Sequence, residues 1–262
     1  MHNADSTREE QLQSAIRDLY LGFRSYHLGP VITPDTCFPD SCDERPLRAA
    51  PLQLLPTSAF RVYQWKAITT WGSVSDFKHF LPRVCELLAT RRDPNDEALL
   101  DPFIIFSKLS YAHWQQWPVH ERLSLERYFA VLWKALLIRP METTCFCIPT
   151  GHLLKNFAYL ALDISSLLQH WEDDLSDPVN GLMPAAHLSQ LITSYTGELA
   201  KKQSLDWQDS LAKQEQQVLT WLASQRVAAL MESAFFRWSE TPYAELLSDG
   251  QYWLAWWRNK SK

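Results

Sequence analysis

The sequence predicts an all-α protein, and three observations support this fold class. Apolar residues recur three and four positions apart along most of the 262 residues, which is the period of amphipathic helices. Strand-like alternation of apolar and polar residues never persists beyond a few positions. The chain contains only 7 Gly, which leaves few residues for tight hairpins, phosphate-binding loops or a dinucleotide-binding fingerprint.

The first predicted helix precedes a long Pro-rich loop. Thr7 and Glu10 have the spacing of a capping box, and Gly29-Pro30 is a stop signal. The apolar stripe between them comprises Leu12, Ile16, Leu19, Tyr20 and Phe23. Residues 28–56 then carry Pro30, Pro34, Pro39, Pro46, Pro51 and Pro56. Pro at this density excludes a continuous helix, and a long ordered loop in a compact domain is often functional.

Helical signals resume at Thr57 and are interrupted at 71–73. Ser75-Asp76 then begins a segment whose apolar residues are Phe77, Phe80, Leu81, Val84 and Leu88, with Pro82 as a kink or restart. Asp101-Pro102 is typical of a helix start, with Pro at the first helical position. Pro118 opens the next predicted helix, and Arg139-Pro140 ends it.

The C-terminal half carries the longest apolar stripe, which runs from Leu153 to Trp171 and predicts one continuous helix. Four further helices are predicted at 184–197, 205–223, 225–238 and 242–258, the last with a break near Asp249-Gly250. Short loops join these segments, and short loops imply antiparallel neighbours. We therefore expect one domain, 1–262, of roughly ten helices packed as irregular antiparallel hairpins.

Charge and composition restrict the classes of partner. The formal net charge is −5 without a basic block, which disfavours nucleic acid and favours a basic protein surface. No run of about 18 apolar residues predicts a membrane span, and the N-terminus has no secretory signal pattern, so we expect a cytoplasmic protein. The 5 Cys are odd in number and scattered, as expected for reduced thiols.

The cysteines and histidines give only weak indications of chemistry. Cys37 and Cys42 in the Pro-rich loop have a spacing that supplies two zinc ligands, whereas a structural zinc site needs four. Two unpaired thiols remain the favoured interpretation, so no metal or other cofactor is predicted. Cys85 lies on an apolar face and is expected to be a small buried hydrophobe. No nucleophile elbow, phosphate-binding loop or paired-His motif is present, and we expect no enzyme activity.

Two acidic clusters are the candidate partner-binding residues. Glu172, Asp173 and Asp174 follow Trp171 near the C-terminal end of the strongest predicted helix, where acidic groups oppose the macrodipole. Asp93, Asp96 and Glu97 occupy a second polar segment. Both clusters are expected on loops, where side chains reach into a partner's cleft. A solvated acidic turn is the alternative. Trp253, Trp256 and Trp257 have helical spacing and are expected to dock the last helix on the core.

The segment from Trp65 to Arg83, WKAITTWGSVSDFKHFLPR, is the most distinctive part of the chain. With the preceding Cys37 and Cys42 loop, it resembles a family of small helical bacterial proteins over about residues 20–90. Some members of that family are immunity proteins encoded beside Rhs-type polymorphic toxins. We expect Phe77, Phe80 and Leu81 to be buried, and His79 and Arg83 to find hydrogen-bond partners near the Pro-rich loop.

The resemblance implies an immunity protein that binds and occludes a cognate antibacterial toxin domain. It transfers no catalytic residue to this chain. The toxin would be a basic domain, such as an ADP-ribosyltransferase, which an acidic antagonist approaches by electrostatic steering. Two alternatives stay open: a small metal-dependent enzyme that uses the Cys37 and Cys42 loop, and a helical scaffold without a toxin partner.

Overall fold

A computed structural model describes residues 2–33, 42–89, 100–141, 149–202, 204–205 and 207–260. Several residues singled out in the sequence lie outside these ranges. They are Cys37, Asp93, Asp96 and Glu97.

The described part of the chain is all-α, which confirms the predicted fold class. The twelve α-helices in these residues are α1 His2–Gly22, α2 Tyr63–Lys66, α3 Val74–Ala89, α4 Pro102–Tyr111, α5 Val119–Ile138, α6 Thr150–Tyr159, α7 Ile164–Ser176, α8 Leu182–Ser194, α9 Thr196–Lys202, α10 Ala212–Ala223, α11 Gln225–Arg237 and α12 Ala244–Lys260. Five short 3₁₀ turns join them, and the sole β-type pairing in the described ranges is an isolated bridge between Ala67 and Trp71.

The helices form two compact units. One unit is Glu9–Leu132, and the other combines Met1–Arg8 with Trp133–Lys262. The sequence predicted one domain over 1–262, and that expectation stays a prediction.

Helix α3 organises the first unit and confirms the expectations for its side chains. Phe77, Phe80 and Leu81 are at most 1% exposed. Ser73 and Asp76 form a reciprocal cap: Asp76 accepts from the Ser73 backbone N–H at 2.8 Å, and the Ser73 hydroxyl accepts from the Asp76 N–H at 3.2 Å. The cap satisfies backbone donors that a helix start leaves unpaired, so the start of α3 is set locally.

Polar residues of α3 hold the chain around the Pro-rich loop. The Arg83 guanidinium donates to the Leu55 carbonyl at 2.8 Å, as expected, whereas His79 Nδ1 lies 2.9 Å from the Tyr26 carbonyl, just before that loop. Gly72 has a φ of +77° and donates its N–H to the Thr33 carbonyl at 2.8 Å. The segment from Trp65 to Arg83 therefore has a structural role, because its hydrogen bonds hold the residues at both ends of the Pro-rich loop.

A buried ion pair lies in the same unit. Lys78 and Glu121 are 8% and 2% exposed, and Lys78 Nζ lies 2.7 Å from Glu121 Oε2. The Tyr26 hydroxyl donates to Glu121 at 2.6 Å, and the Lys78 ammonium lies 4.1 Å from the centre of the Trp117 ring. The charges are thus paired, hydrogen-bonded and covered, which is what burial of an ion pair requires.

The second unit contains a very close helix crossing. A Cβ on Gly250 in α12 would lie 2.5 Å from Ser189 Cβ and 2.7 Å from Ser189 Cα in α8. Only glycine permits this approach, because any other residue adds an atom where Ser189 already stands. The expected break near Asp249-Gly250 is therefore wrong: α12 is continuous, and Gly250 serves close packing.

Other helix boundaries also differ from the sequence prediction, among them the helix predicted at 205–223, which begins at Ala212. Helix α1 begins at His2, so Thr7 lies inside it and is not its N-cap. The stripe from Leu153 to Trp171 is divided between α6 and α7, because Ala161 adopts a φ of +58° and Asp163 caps α7 by accepting from the Ser165 N–H at 3.1 Å. The apolar period continues across the break, which is why the sequence indicated one helix.

Candidate functional site

The acidic cluster of Glu172, Asp173 and Asp174 lies in the C-terminal part of α7 and not on a loop, which corrects the sequence expectation. Helix α7 continues to Ser176, because the interruption of the helical stripe lies earlier, between α6 and Asp163. Acidic groups at this end of a helix face the negative end of the macrodipole and need compensating donors.

Asp174 is compensated by a distant arginine. Arg8 of α1 donates to both carboxylate oxygens of Asp174, at 2.7 and 2.5 Å, and also to the Lys134 carbonyl at 2.9 Å. The Asp174 side chain is 13% exposed. This two-pronged, partly buried pair joins the first turns of the chain to α7, so Asp174 acts in the fold rather than as a free surface charge.

Glu172 is compensated by two other groups. The Trp221 indole N–H donates to Glu172 Oε2 at 3.1 Å, and Arg226 of α11 pairs with Glu172 Oε1. The Glu172 side chain is 12% exposed, whereas that of Arg226 is 64% exposed. The carboxylate is therefore held in place while its cationic partner stands in solvent.

Asp173 is the exposed member of the cluster. Its carboxylate accepts from the Gln169 side-chain amide at 2.9 Å, one turn earlier on α7. Of the three predicted acidic contacts, Asp173 alone presents its carboxylate mainly to solvent.

An open groove of about 630 Å³ lies between α7 and α10, and Glu172 is part of its wall. Each helix contributes residues three and four positions apart. Helix α7 contributes Ser165, Leu168, Gln169 and Glu172. Helix α10 contributes Lys213, Gln216, Gln217, Thr220 and Trp221, and the residue that follows this helix, Ser224, completes the lining. The volume is within the range of ligand-binding clefts. The lining combines an apolar floor with hydroxyl, amide and charged groups.

Trp221 is supported from the core by a chain of aromatic rings. Its ring centre lies 5.4 Å from that of Trp171, which lies 5.3 Å from Trp133, which in turn lies 5.9 Å from Phe157. The Trp171 indole also donates to the Pro184 carbonyl at 2.9 Å. Because these rings are fixed by packing and hydrogen bonds, the Trp221 face of the groove is preorganised.

A histidine lies beside the acidic cluster on α7. Loss of hydration lowers the pKa of His170 below its ordinary value of 6.5, and Lys134 and Arg8 act in the same direction. Asp173 and Asp174 oppose this shift. The net effect favours the neutral imidazole over the charged one.

The cysteines of the alternative metal site are only partly described. Cys42 is half-buried and free, and Cys37 lies outside the described residues. Within the described ranges, no group of three or more His, Cys, Asp and Glu side chains is arranged to hold a metal ion. Cys85 is fully buried, as expected, and burial raises the pKa of its thiol.

The tryptophans of α12 fulfil the docking expectation only in part. Trp257 is 5% exposed and packs in the core. Trp253 and Trp256 are half-buried, contact each other with ring centres 5.5 Å apart, and Trp256 lies 4.1 Å from the Lys260 ammonium.

Sequence reasoning missed the groove. The signal was the stripe on α10, where Lys213, Gln217, Thr220 and Trp221 share one helical face. A polar stripe of this kind is usually solvated, and its spacing does not reveal that α7 lies opposite.

No protein-family model, no curated protein and no solved structure matches this chain. In the part of the chain that the structure describes, no helix combines the length and the apolar character needed to cross a membrane.

Proposed function

We propose that this chain is an immunity protein that neutralises a cognate toxin domain by binding and occluding it. The observation that carries the proposal is the open, preorganised groove between α7 and α10, which places a fixed carboxylate, Glu172, beside amides and an indole face. Such a mixture of apolar and hydrogen-bonding groups suits a polypeptide surface, where aromatic anchors and satisfied polar contacts occur together.

The resemblance of the Trp65–Arg83 segment supports the choice of partner class. In this chain that segment is largely structural, since Phe77 and Phe80 are buried and Gly72 and Arg83 fasten the loop. The proposal therefore assigns partner contact to a different unit of the chain from the one that carries the resemblance. The net charge of −5 favours a basic toxin domain, such as an ADP-ribosyltransferase, and the place of action is the cytoplasm.

The experiment that tests the proposal is co-expression. The C-terminal domain of a toxin gene adjacent to the gene for this chain is expressed with and without the chain, and growth is measured. We expect growth only with the chain, together with a purified complex that buries at least about 1,000 Å². Neutralisation by reversal of the toxin's covalent modification, without a complex, would show that occlusion is wrong.

The contribution of the acidic residues is tested separately by association kinetics. Asp173→Asn removes the exposed charge without disturbing the Glu172 and Asp174 pairs, and Glu232→Gln removes an exposed charge from α11 as a matched control. We expect Asp173→Asn to slow association at low salt and to reduce its salt dependence, whereas Glu232→Gln has no effect. A variant neutralised at Asp93, Asp96 and Glu97 tests the second cluster in the same way. Wild-type rates for both acidic variants would refute the acidic contact.

A further inference from the structure

The groove between α7 and α10 carries opposite charges at two places along its length. Glu172 is bound to Trp221, and Lys213 lines the groove eight residues earlier on α10. At about 1.5 Å of rise per residue, Lys213 and Trp221 are separated by about 12 Å along the helix. A ligand that matches both charges must therefore be extended over this distance.

The side chains between the two charges match a peptide backbone. Gln169, Gln216 and Gln217 supply amides along the groove. The side-chain nitrogen of each amide already donates one hydrogen bond within the protein, to Asp173, Thr220 and Ser165 respectively. A bound peptide therefore meets the second N–H and the carbonyl oxygen of each amide. Extended backbone offers N–H and C=O groups in alternation, so amides along the groove satisfy it without a fixed sequence. Leu168 and Trp221 form an apolar surface for the aliphatic stem of a long side chain.

The ion pair at Glu172 is suited to exchange. Its carboxylate is fixed by the Trp221 indole and is 12% exposed, whereas Arg226 approaches from solvent with 64% of its side chain exposed. Because Arg226 is the solvent-exposed member of the pair, it regains hydration and side-chain freedom when it leaves Glu172. A cationic side chain that enters along the groove can therefore replace Arg226 at small cost.

We propose that this groove binds an extended segment of the toxin in which a Lys or Arg side chain displaces Arg226 from Glu172 and an acidic side chain four residues away pairs with Lys213. Extended chain advances about 3.3 Å per residue, so four residues span about 13 Å, and residues i and i+4 face the same side. This inference rests on the proposed function and names the chemistry of the toxin segment that the groove takes.

The test uses blocked pentapeptides as probes. Acetyl-Arg-Ala-Ala-Ala-Glu-amide and its reversed sequence cover both chain directions, and citrulline in place of Arg keeps the shape but removes the charge. Binding is measured by calorimetry and by the NMR signal of the Trp221 indole N–H, assigned by its loss in Trp221→Phe. We expect one of the two charged peptides to bind and to shift that signal, and its citrulline form to bind at least about tenfold more weakly.

Variants of the protein separate exchange at Glu172 from general attraction. Arg226→Ala removes the internal competitor and is expected to tighten peptide binding about fivefold, whereas Arg237→Ala, on the same helix, leaves it unchanged. Glu172→Gln is expected to weaken binding about tenfold. Lys213→Ala is expected to weaken binding of the peptide with Glu but not of its Gln form.

Three results would overturn the inference: equal binding of the citrulline peptide, weaker binding after Arg226→Ala, or a Trp221 signal that none of the peptides moves. Should Glu172→Gln unfold the protein, Arg226→Ala still decides the matter, because Arg226 is exposed. Growth rescue without peptide binding refutes the groove inference alone. Peptide binding without rescue refutes the immunity function, and with it the toxin as the source of the segment.

Discussion

The substitution Gly250→Ala tests the closest helix contact in the second unit. The new methyl group would overlap the hydroxyl oxygen of Ser189 and lie 2.5 and 2.7 Å from its Cβ and Cα. Rotation of the Ser189 side chain moves the oxygen but not the Cα or Cβ. The helices α8 and α12 must therefore separate to admit the methyl group.

The magnitude follows from two opposing effects. Overpacking of this kind costs about 1–3 kcal/mol, and the backbone overlap places Gly250→Ala at the upper end of that range. Alanine in a helix interior offsets up to about 1 kcal/mol of this cost through its higher helix propensity. We expect a net loss of about 2 kcal/mol in the free energy of unfolding, which lowers the melting temperature by about 4–8 °C.

The assay is urea unfolding followed by circular dichroism, with calorimetry for the melting temperature. Gly197→Ala in α9 is the matched control, because among the described residues no atom outside its own helix backbone and chain neighbours lies within 4 Å of the added carbon. The higher helix propensity of alanine should leave its stability unchanged or raise it by up to about 1 kcal/mol. Ser189→Gly combined with Gly250→Ala removes part of the overlap and should recover part of the loss. If Gly250→Ala is as stable as Gly197→Ala, then α8 and α12 do not approach as closely as the argument requires.

Three further predictions concern stability. Phe77→Ala is expected to cost about 3–5 kcal/mol in urea unfolding because the ring is 1% exposed, and an unchanged melting temperature with lost partner binding would show that Phe77 has a binding role. Lys78→Met is expected to lower the free energy of unfolding by about 3–5 kcal/mol because it leaves the Glu121 charge buried without its partner. The double variant Lys78→Met with Glu121→Leu should recover most of this stability, and equal losses in the single and the double variant would refute the explanation. Loss of hydration lowers the pKa of His152 and His170 below 6.5, so the unfolded chain binds protons more tightly than the folded protein. The stability linked to these two residues is present above about pH 6.5 and is lost as the pH falls through their folded pKa values. The double variant His152→Gln with His170→Gln should make the melting temperature less dependent on pH between pH 7 and 5, and an unaltered pH dependence would contradict the assignment.

Local patterns were sufficient to predict much of the fold. The 3.6-residue period identified the helical class, and Asp101-Pro102 marked the start of α4, where Asp101 accepts from the Phe103 N–H at 2.8 Å. The burial of Phe77 and Phe80 also followed from spacing alone. These features depend on interactions among residues within about one turn of each other, which are visible in the sequence.

The candidate site was predicted less well because its interactions are not local. The sequence indicated Glu172, Asp173 and Asp174 but placed them on a loop as equivalent surface charges. The structure pairs Asp174 with Arg8, 166 residues away, and Glu172 with Trp221, 49 residues away. No spacing rule connects such positions, so only the folded chain distinguishes the exposed Asp173 from its two neighbours.

The sequence by itself determined that this protein is all-α, where several of its helices begin and which side chains of α3 are buried. The tertiary structure decided that Gly250 permits a close crossing rather than ending a helix, that the stripe ending at Trp171 is interrupted before Asp163, and that α10 lies opposite α7 to form a groove. The physical reason is the range of the forces involved. Helix period and capping act over three or four residues, whereas close packing, ion pairs and grooves require elements that only folding brings together.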